Sequence, residues 1–149
     1  MLDSSVLVKY SLFNGLEQEQ INSILPLMNE ESYEAGTDII TQGDRNEKIH
    51  FVLEGRVAVK KGVIILTVLE KGSTFGEMEV LDVMPAEATI TTLKNTRVLT
   101  LSIDALAEIY ESDLKIYSFL LMNLARDLSR RLRRMDVKMA GNSPHMEWN

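Results

Sequence analysis

The spacing of apolar residues divides the chain into three segments. Apolar residues first recur at intervals of three or four positions, which predicts N-terminal helices over residues 1–30. From about Ser32 the pattern changes to short β-branched runs separated by turn residues, which predicts strands over residues 31–102. Many short strands in one domain indicate a β jelly roll or barrel. The predicted class is therefore mainly β with flanking α-helices.

Residues 104–140 return to helical spacing. Asp104 is the predicted N-cap of a short helix, and Ser112 or Asp113 that of a long one. Along the long helix, large apolar residues follow at intervals of three or four over more than three heptads. Such a stripe suits a seam between two helices as well as packing on the barrel. We expect a dimer seam formed by Tyr117, Leu121, Leu124, Leu128, Leu132 and Met135.

The chain length and composition are those of one ordinary globular domain. With 149 residues the chain is large enough for a hydrophobic core, and we assign residues 1–140 to a single domain. Residues 141–149 read as a frayed, flexible tail. The N-terminus lacks the features of a signal peptide, and the apolar runs are too short to span a bilayer. We expect a cytoplasmic protein that does not enter a membrane.

Several kinds of chemistry are excluded or disfavoured by composition. The chain has no cysteine, which rules out disulfides, thiolate catalysis and zinc–thiolate sites. Its two histidines, His50 and His145, are distant in sequence, and no acid/base pair is clustered. We therefore expect neither a metal site nor an enzyme.

Two short motifs carry the most specific signal in the sequence. Residues 75–81 read FGEMEVL, and residues 85–89 read PAEAT. Together with turns at residues 36–44 and a strand-like run at residues 51–57, they resemble the phosphate-binding cassette of cyclic-nucleotide-binding domains. The resemblance implies a jelly-roll barrel with a C-terminal lid helix. The corresponding ligand-binding residues are Phe75, Gly76, Glu77, Met78, Ala86, Glu87, Ala88 and Thr89.

The resemblance also implies a role for each part of the cassette. Gly76 would let the backbone approach a phosphate, and the next turn would aim N–H groups at it, while Glu77 would accept the ribose hydroxyl. The family places an arginine where this chain has Ala86, with Glu87 beside it. Losing one partner of a buried charge pair costs about 2–5 kcal/mol, of the roughly 8 kcal/mol that a micromolar ligand has. We expect no tight binding of cyclic AMP or cyclic GMP, and no other cofactor.

Charge is distributed unevenly, and this bears on partners. The net charge is −6, yet residues 126–138 are basic and include Arg130, Arg131, Arg133 and Arg134. An acidic body does not favour broad nucleic-acid binding. We interpret the arginines as a solvated helix face. DNA contact in this family would need a helix-turn-helix domain after the lid helix, close to where the sequence stops, so we expect no direct DNA binding.

Two functions follow as hypotheses. The first is a stand-alone regulatory or sensor module, homodimeric, with a degenerate cassette and an unidentified downstream protein partner. The alternative is a structural or interaction protein that uses its C-terminal helix for dimerisation or partner binding, without a small-molecule ligand.

Overall fold

A computed structural model describes residues 2–142 and confirms the predicted fold class. The N-terminal segment contains two short α-helices and two 3₁₀ turns. They are α1 (Ser4–Leu7), a turn at Ser11–Phe13, α2 (Gln18–Ile24) and a turn at Leu25–Leu27. α2 begins with a capping box in which the side chains of Glu17 and Gln20 each bond the other's backbone N–H. Pro26 lies in the second turn, where α2 has ended.

Eight strands form two antiparallel four-stranded sheets. One sheet has the order β1-β8-β3-β6 and the other has the order β2-β7-β4-β5. The strands are β1 (Asn29–Tyr33), β2 (Asp38–Ile40), β3 (Lys48–Glu54), β4 (Arg56–Lys61), β5 (Ile64–Glu70), β6 (Thr74–Phe75), β7 (Thr89–Thr92) and β8 (Thr96–Ser102). β5 forms an edge of its sheet, and most of its apolar side chains are exposed. β1 begins inside the segment predicted as helical.

Three further helices complete the architecture. They are α3 (Glu77–Asp82), α4 (Ile103–Ser112) and α5 (Leu114–Asn142). α3 interrupts the strands between β6 and β7, whereas α4 and α5 follow the last strand. Within residues 2–142, no helix is both long and apolar enough to cross a membrane.

One predicted helix cap is wrong. The N-cap of α4 is Ser102, whose side-chain oxygen accepts a hydrogen bond from the Ala105 N–H at 3.1 Å. Ser102 ends β8 with extended backbone, so its side chain can reach the first turn, while Asp104 is already helical. At α5 the Asp113 carboxylate accepts from the Ile116 N–H at 3.1 Å. α5 continues through Asn142, so the first two residues of the predicted tail are helical, and residues 143–149 lie outside the described residues.

Two apolar clusters stabilise this arrangement. The larger one joins the outer face of β3 and β8 to the helices and includes Phe13, Phe51, Ile109 and Leu120. The smaller one lies in the β-roll itself; its members are Ile40, Val52, Val57, Phe75, Ala86, Ile90 and Val98. Two residues of the predicted cassette, Phe75 and Ala86, are thus part of the roll's core.

Candidate functional site

The predicted cassette begins at a turn that only glycine fits. Gly76 is the N-cap residue of α3 and has a φ of +79°, in the left-handed region. A Cβ on it would lie 2.7 Å from Nδ2 of Asn46 and 2.9 Å from the carbonyl oxygen of Lys48. The Asn46 amide donates to the carbonyls of both Gly76 and Lys48 at 2.9 Å. The turn is therefore held by its neighbours as well as by its own backbone.

An aromatic stack supports the turn. The ring of buried Phe75 lies parallel to that of His50, with 4.7 Å between centroids and 8° between planes. Burial lowers the pKa of His50 to about 4, so the imidazole is neutral near pH 7. Its Nδ1 atom has no hydrogen-bond partner among the described residues. His50 therefore packs beneath the cassette and brings no positive charge to it.

Glu77, the predicted ribose acceptor, is paired with the C-terminal helix. Its residue is only 3% exposed, and its Oε1 atom lies 2.5 Å from Nη1 of Arg131 on α5. Arg131 also donates to the carbonyl oxygen of Thr74. Burial raises the pKa of Glu77, and the charge of Arg131 opposes that rise. The cassette thus meets a guanidinium that comes from outside its own segment.

Arg131 is the site residue that the sequence interpretation missed. The basic cluster containing it was interpreted as a solvated face, but Arg131 is only partly exposed and joins α5 to α3 across 54 positions. A buried acid such as Glu77 requires a counter-charge or a proton, which was the one available signal. Helical spacing alone does not identify which of four nearby arginines supplies that charge.

The second half of the cassette contains no positive charge of its own. Ala86 is 4% exposed, its N–H donates to the Asp44 carbonyl and its own carbonyl accepts from the Gly43 N–H, both at 2.8 Å. The side chain of Glu87 is 68% exposed and pairs at 3.3 Å with Lys61 of β4. Glu87 therefore points away from the roll's core and pairs with a strand of the β-roll.

The remaining cassette residues have structural contacts. The Thr89 hydroxyl accepts from the Gln42 N–H at 3.0 Å and joins β7 to the turn after β2. Ala88 is half-buried, while Met78 on α3 is exposed. Among residues 2–142, no group of three or more His, Asp or Glu side chains could hold a metal ion.

The apolar stripe of α5 divides into two halves. Leu124 is 1% exposed within the core of its own domain, and Tyr117 and Leu121 pack against that core. These three residues of the predicted seam pack within their own domain, because the first half of α5 covers the other helices and the sheet. Leu124 is the most deeply buried of them. Leu128 is half-buried, whereas Leu132 and Met135 are exposed. Of the six predicted seam residues, only Leu132 and Met135, both in the second half of α5, are exposed enough to contact another molecule.

Comparison with known proteins identifies the family to which the chain belongs. The family model for the cyclic nucleotide-binding domain matches residues 30–113, and the chain belongs to that family. The chain is 29% identical over 133 residues to the cyclic AMP receptor protein of Thermus thermophilus, covering 86% of this chain and 60% of that one. It is 31% identical over 102 residues to a cAMP-dependent protein kinase regulatory subunit of Eremothecium gossypii, covering 68% of this chain and 22% of the relative.

A solved structure extends the likeness in fold. The cyclic nucleotide-binding domain from Methylobacillus flagellatus superimposes with a TM-score of 0.84 at 23% identity, covering 99% of this chain and 84% of that one. The chain spans less than two thirds of the length of the two curated relatives. Family membership implies a regulatory or sensor role.

Proposed function

We propose that this chain is a regulatory module whose cassette has lost tight binding of cyclic nucleotides. The observation that supports this most directly is the position of Ala86. It occupies the arginine position of the cassette, is buried against the core of the roll, and has the outward-facing, Lys61-paired Glu87 beside it. A cyclic phosphate entering the cassette would meet no guanidinium from this segment.

Arg131 is a poor substitute for the missing arginine. Its guanidinium is already bonded to the Glu77 carboxylate and to the Thr74 carbonyl. Turning it toward a phosphate would leave the carboxylate of Glu77 buried without its partner, and breaking a buried ion pair costs on the order of 3–5 kcal/mol. The contacts of a cyclic nucleotide would have to offset that loss of free energy before any net binding remained.

Calorimetric titration of cyclic AMP and cyclic GMP tests the proposal. We expect no micromolar binding to the wild type, and binding at least about 30-fold tighter to Ala86→Arg, the change that corresponds to 2 kcal/mol. Glu87→Arg is the control, since it adds an arginine one position away, where the side chain faces solvent, and it raises the net charge by two units instead of one. The control should not gain affinity.

Two results would count against the degenerate cassette. One is a micromolar dissociation constant for the wild type, and the other is equal gain in both arginine variants, which would indicate general charge attraction. Because Ala86 is buried, a thermal melt of Ala86→Arg must first show a cooperative transition. If that variant is unfolded, the wild-type titration alone decides.

We further propose that the chain forms a homodimer through the second half of α5. Leu132 is 61% exposed, and Met135 and Met139 follow it at helical spacing with similar exposure. Exposed apolar residues at spacings of three and four on one helix are typical of a helix–helix seam. The alternative function, a structural protein without a ligand, would use the same surface.

The dimer is tested by light scattering and sedimentation on Leu132→Glu with Met135→Glu. We expect a monomer with an unchanged circular dichroism spectrum, because both side chains are exposed and the fold does not use them. Arg126→Gln with Arg133→Gln is the control, since it lowers the net charge by the same amount at exposed positions outside the apolar stripe. A dimer that persists in the Leu132/Met135 variant would contradict the proposed seam.

A further inference from the structure

A small cleft lies where α5 passes the turn between β5 and β6. Its volume is about 230 Å³, and Arg130, Arg131 and Arg134 line it from α5. Opposite them lie Gly72 and Ser73, in the turn. Arg134 lies four positions after Arg130 and three after Arg131, so its side chain is a neighbour of each of the other two on the helix surface. None of the eight predicted cassette residues lines this cleft.

The acidic side chains near the cleft are already paired with arginines, whereas Arg134 has no acidic partner within residues 2–142. The two carboxylate oxygens of Asp127, also in the lining, accept from the Ser11 hydroxyl at 3.1 Å and from Arg130 at 2.9 Å. Arg131 is committed to Glu77. Among residues 2–142, Arg134 has neither an ion pair nor a hydrogen-bonded acceptor, and the Ser73 hydroxyl has no hydrogen-bond partner. The cleft thus combines excess positive charge with free donors.

We propose that this cleft binds a phosphate group carried by a small anion. Guanidinium groups match phosphate oxygens with paired, charge-assisted hydrogen bonds. Binding sites for larger organic molecules span roughly 300–1,000 Å³, so a cleft of about 230 Å³ suits one phosphate or a diphosphate better than a whole nucleotide. No cassette residue lines the cleft, although Arg131 contacts both, so the proposal rests on Arg134 and not on whether the cassette binds anything.

Titration of inorganic phosphate and pyrophosphate, followed by amide NMR at constant ionic strength, tests the cleft. We expect saturable shifts at Gly72 and Ser73. An anion held by two charge-assisted contacts should bind with a dissociation constant in the millimolar range. Arg134→Gln should weaken binding about tenfold or more. Arg133→Gln is the matched control, because this neighbouring exposed arginine does not line the cleft.

Three outcomes would overturn the proposal. Equal loss of affinity in Arg133→Gln would indicate attraction to the whole basic helix, and equal shifts with chloride would indicate an ionic-strength effect. Shifts confined to Gly76 and Glu77 that ignore Arg134→Gln would place the anion at the cassette instead. Failure of the cyclic-nucleotide proposal leaves this titration unaffected, because the titration uses a different ligand, follows the amides of Gly72 and Ser73, and tests Arg134.

Discussion

At the scale of single residues, one ion pair dominates the candidate site. Glu77 is buried, and Arg131 meets it from another element, so each depends on the other for compensation. Gly76 and the cassette motif could be predicted from the sequence, because a left-handed turn and its glycine are local features. The identity of the partner of Glu77 could not, because it depends on how α5 crosses the roll.

Removing Arg131 should destabilise the fold more than removing the charge of Glu77. Arg131→Gln leaves a buried carboxylate without its counter-charge and should lower the free energy of unfolding by on the order of 3 kcal/mol, the low end expected for a buried pair, since Arg131 is partly solvated. Glu77→Gln removes the buried charge and should cost less. Urea unfolding of both variants and of the double variant measures the coupling.

The double variant decides the interpretation. We expect it to be more stable than Arg131→Gln alone, because it no longer buries an unpaired carboxylate. Purely additive losses would mean that Glu77 and Arg131 do not interact in solution.

At the scale of elements, α5 shows what periodicity can and cannot predict. The spacing correctly predicts a long amphipathic helix after a shorter one, because helical period is a property of the local sequence. The same spacing continues from Leu124 to Met135, yet the first is in the core and the second is exposed. What covers each turn of a helix is decided by tertiary packing, and the stripe itself carries no sign of the change.

The boundaries of helices and strands are likewise only partly predictable from the local sequence. The predicted cap at Asp104 is wrong and Ser102 serves instead, because α4 begins at Ile103, directly after β8, and Asp104 is already in the first turn of the helix. Strand order in the two sheets was likewise beyond reach of the sequence alone. The jelly-roll class could be predicted because many short strands separated by regular turns are compatible with few other architectures.

At the scale of the whole molecule, the buried histidine predicts how stability depends on pH. His50 has a pKa of about 4 in the folded chain against an ordinary 6.5, so the unfolded chain binds a proton first on acidification. The stabilisation is complete above about pH 6.5 and is lost as the pH falls toward 4, by up to on the order of 3 kcal/mol. Denaturant unfolding between pH 4 and pH 8 measures the loss.

His50→Phe provides the comparison, since it keeps a ring against Phe75 and removes the titrating group. Burial raises the pKa values of Glu77 and Glu79, which favours the folded chain at low pH and opposes the effect of His50. Both acids remain in the variant, so the difference between the two pH profiles isolates the histidine. Superimposable profiles would contradict the prediction.

The position of Arg131 along α5 has a mechanical consequence. Among the described residues, no hydrogen bond or ion pair joins α5 to the rest of the domain beyond Arg131. The helix continues to Asn142, about 16 Å further at 1.5 Å per residue. Arg131 therefore makes the last polar contact between α5 and the domain within the described residues. A tilt of the helix by about 10° at this point would move its far end by about 3 Å. A change in the bonds of this one guanidinium would therefore act on the end of the helix that carries Leu132 and Met135.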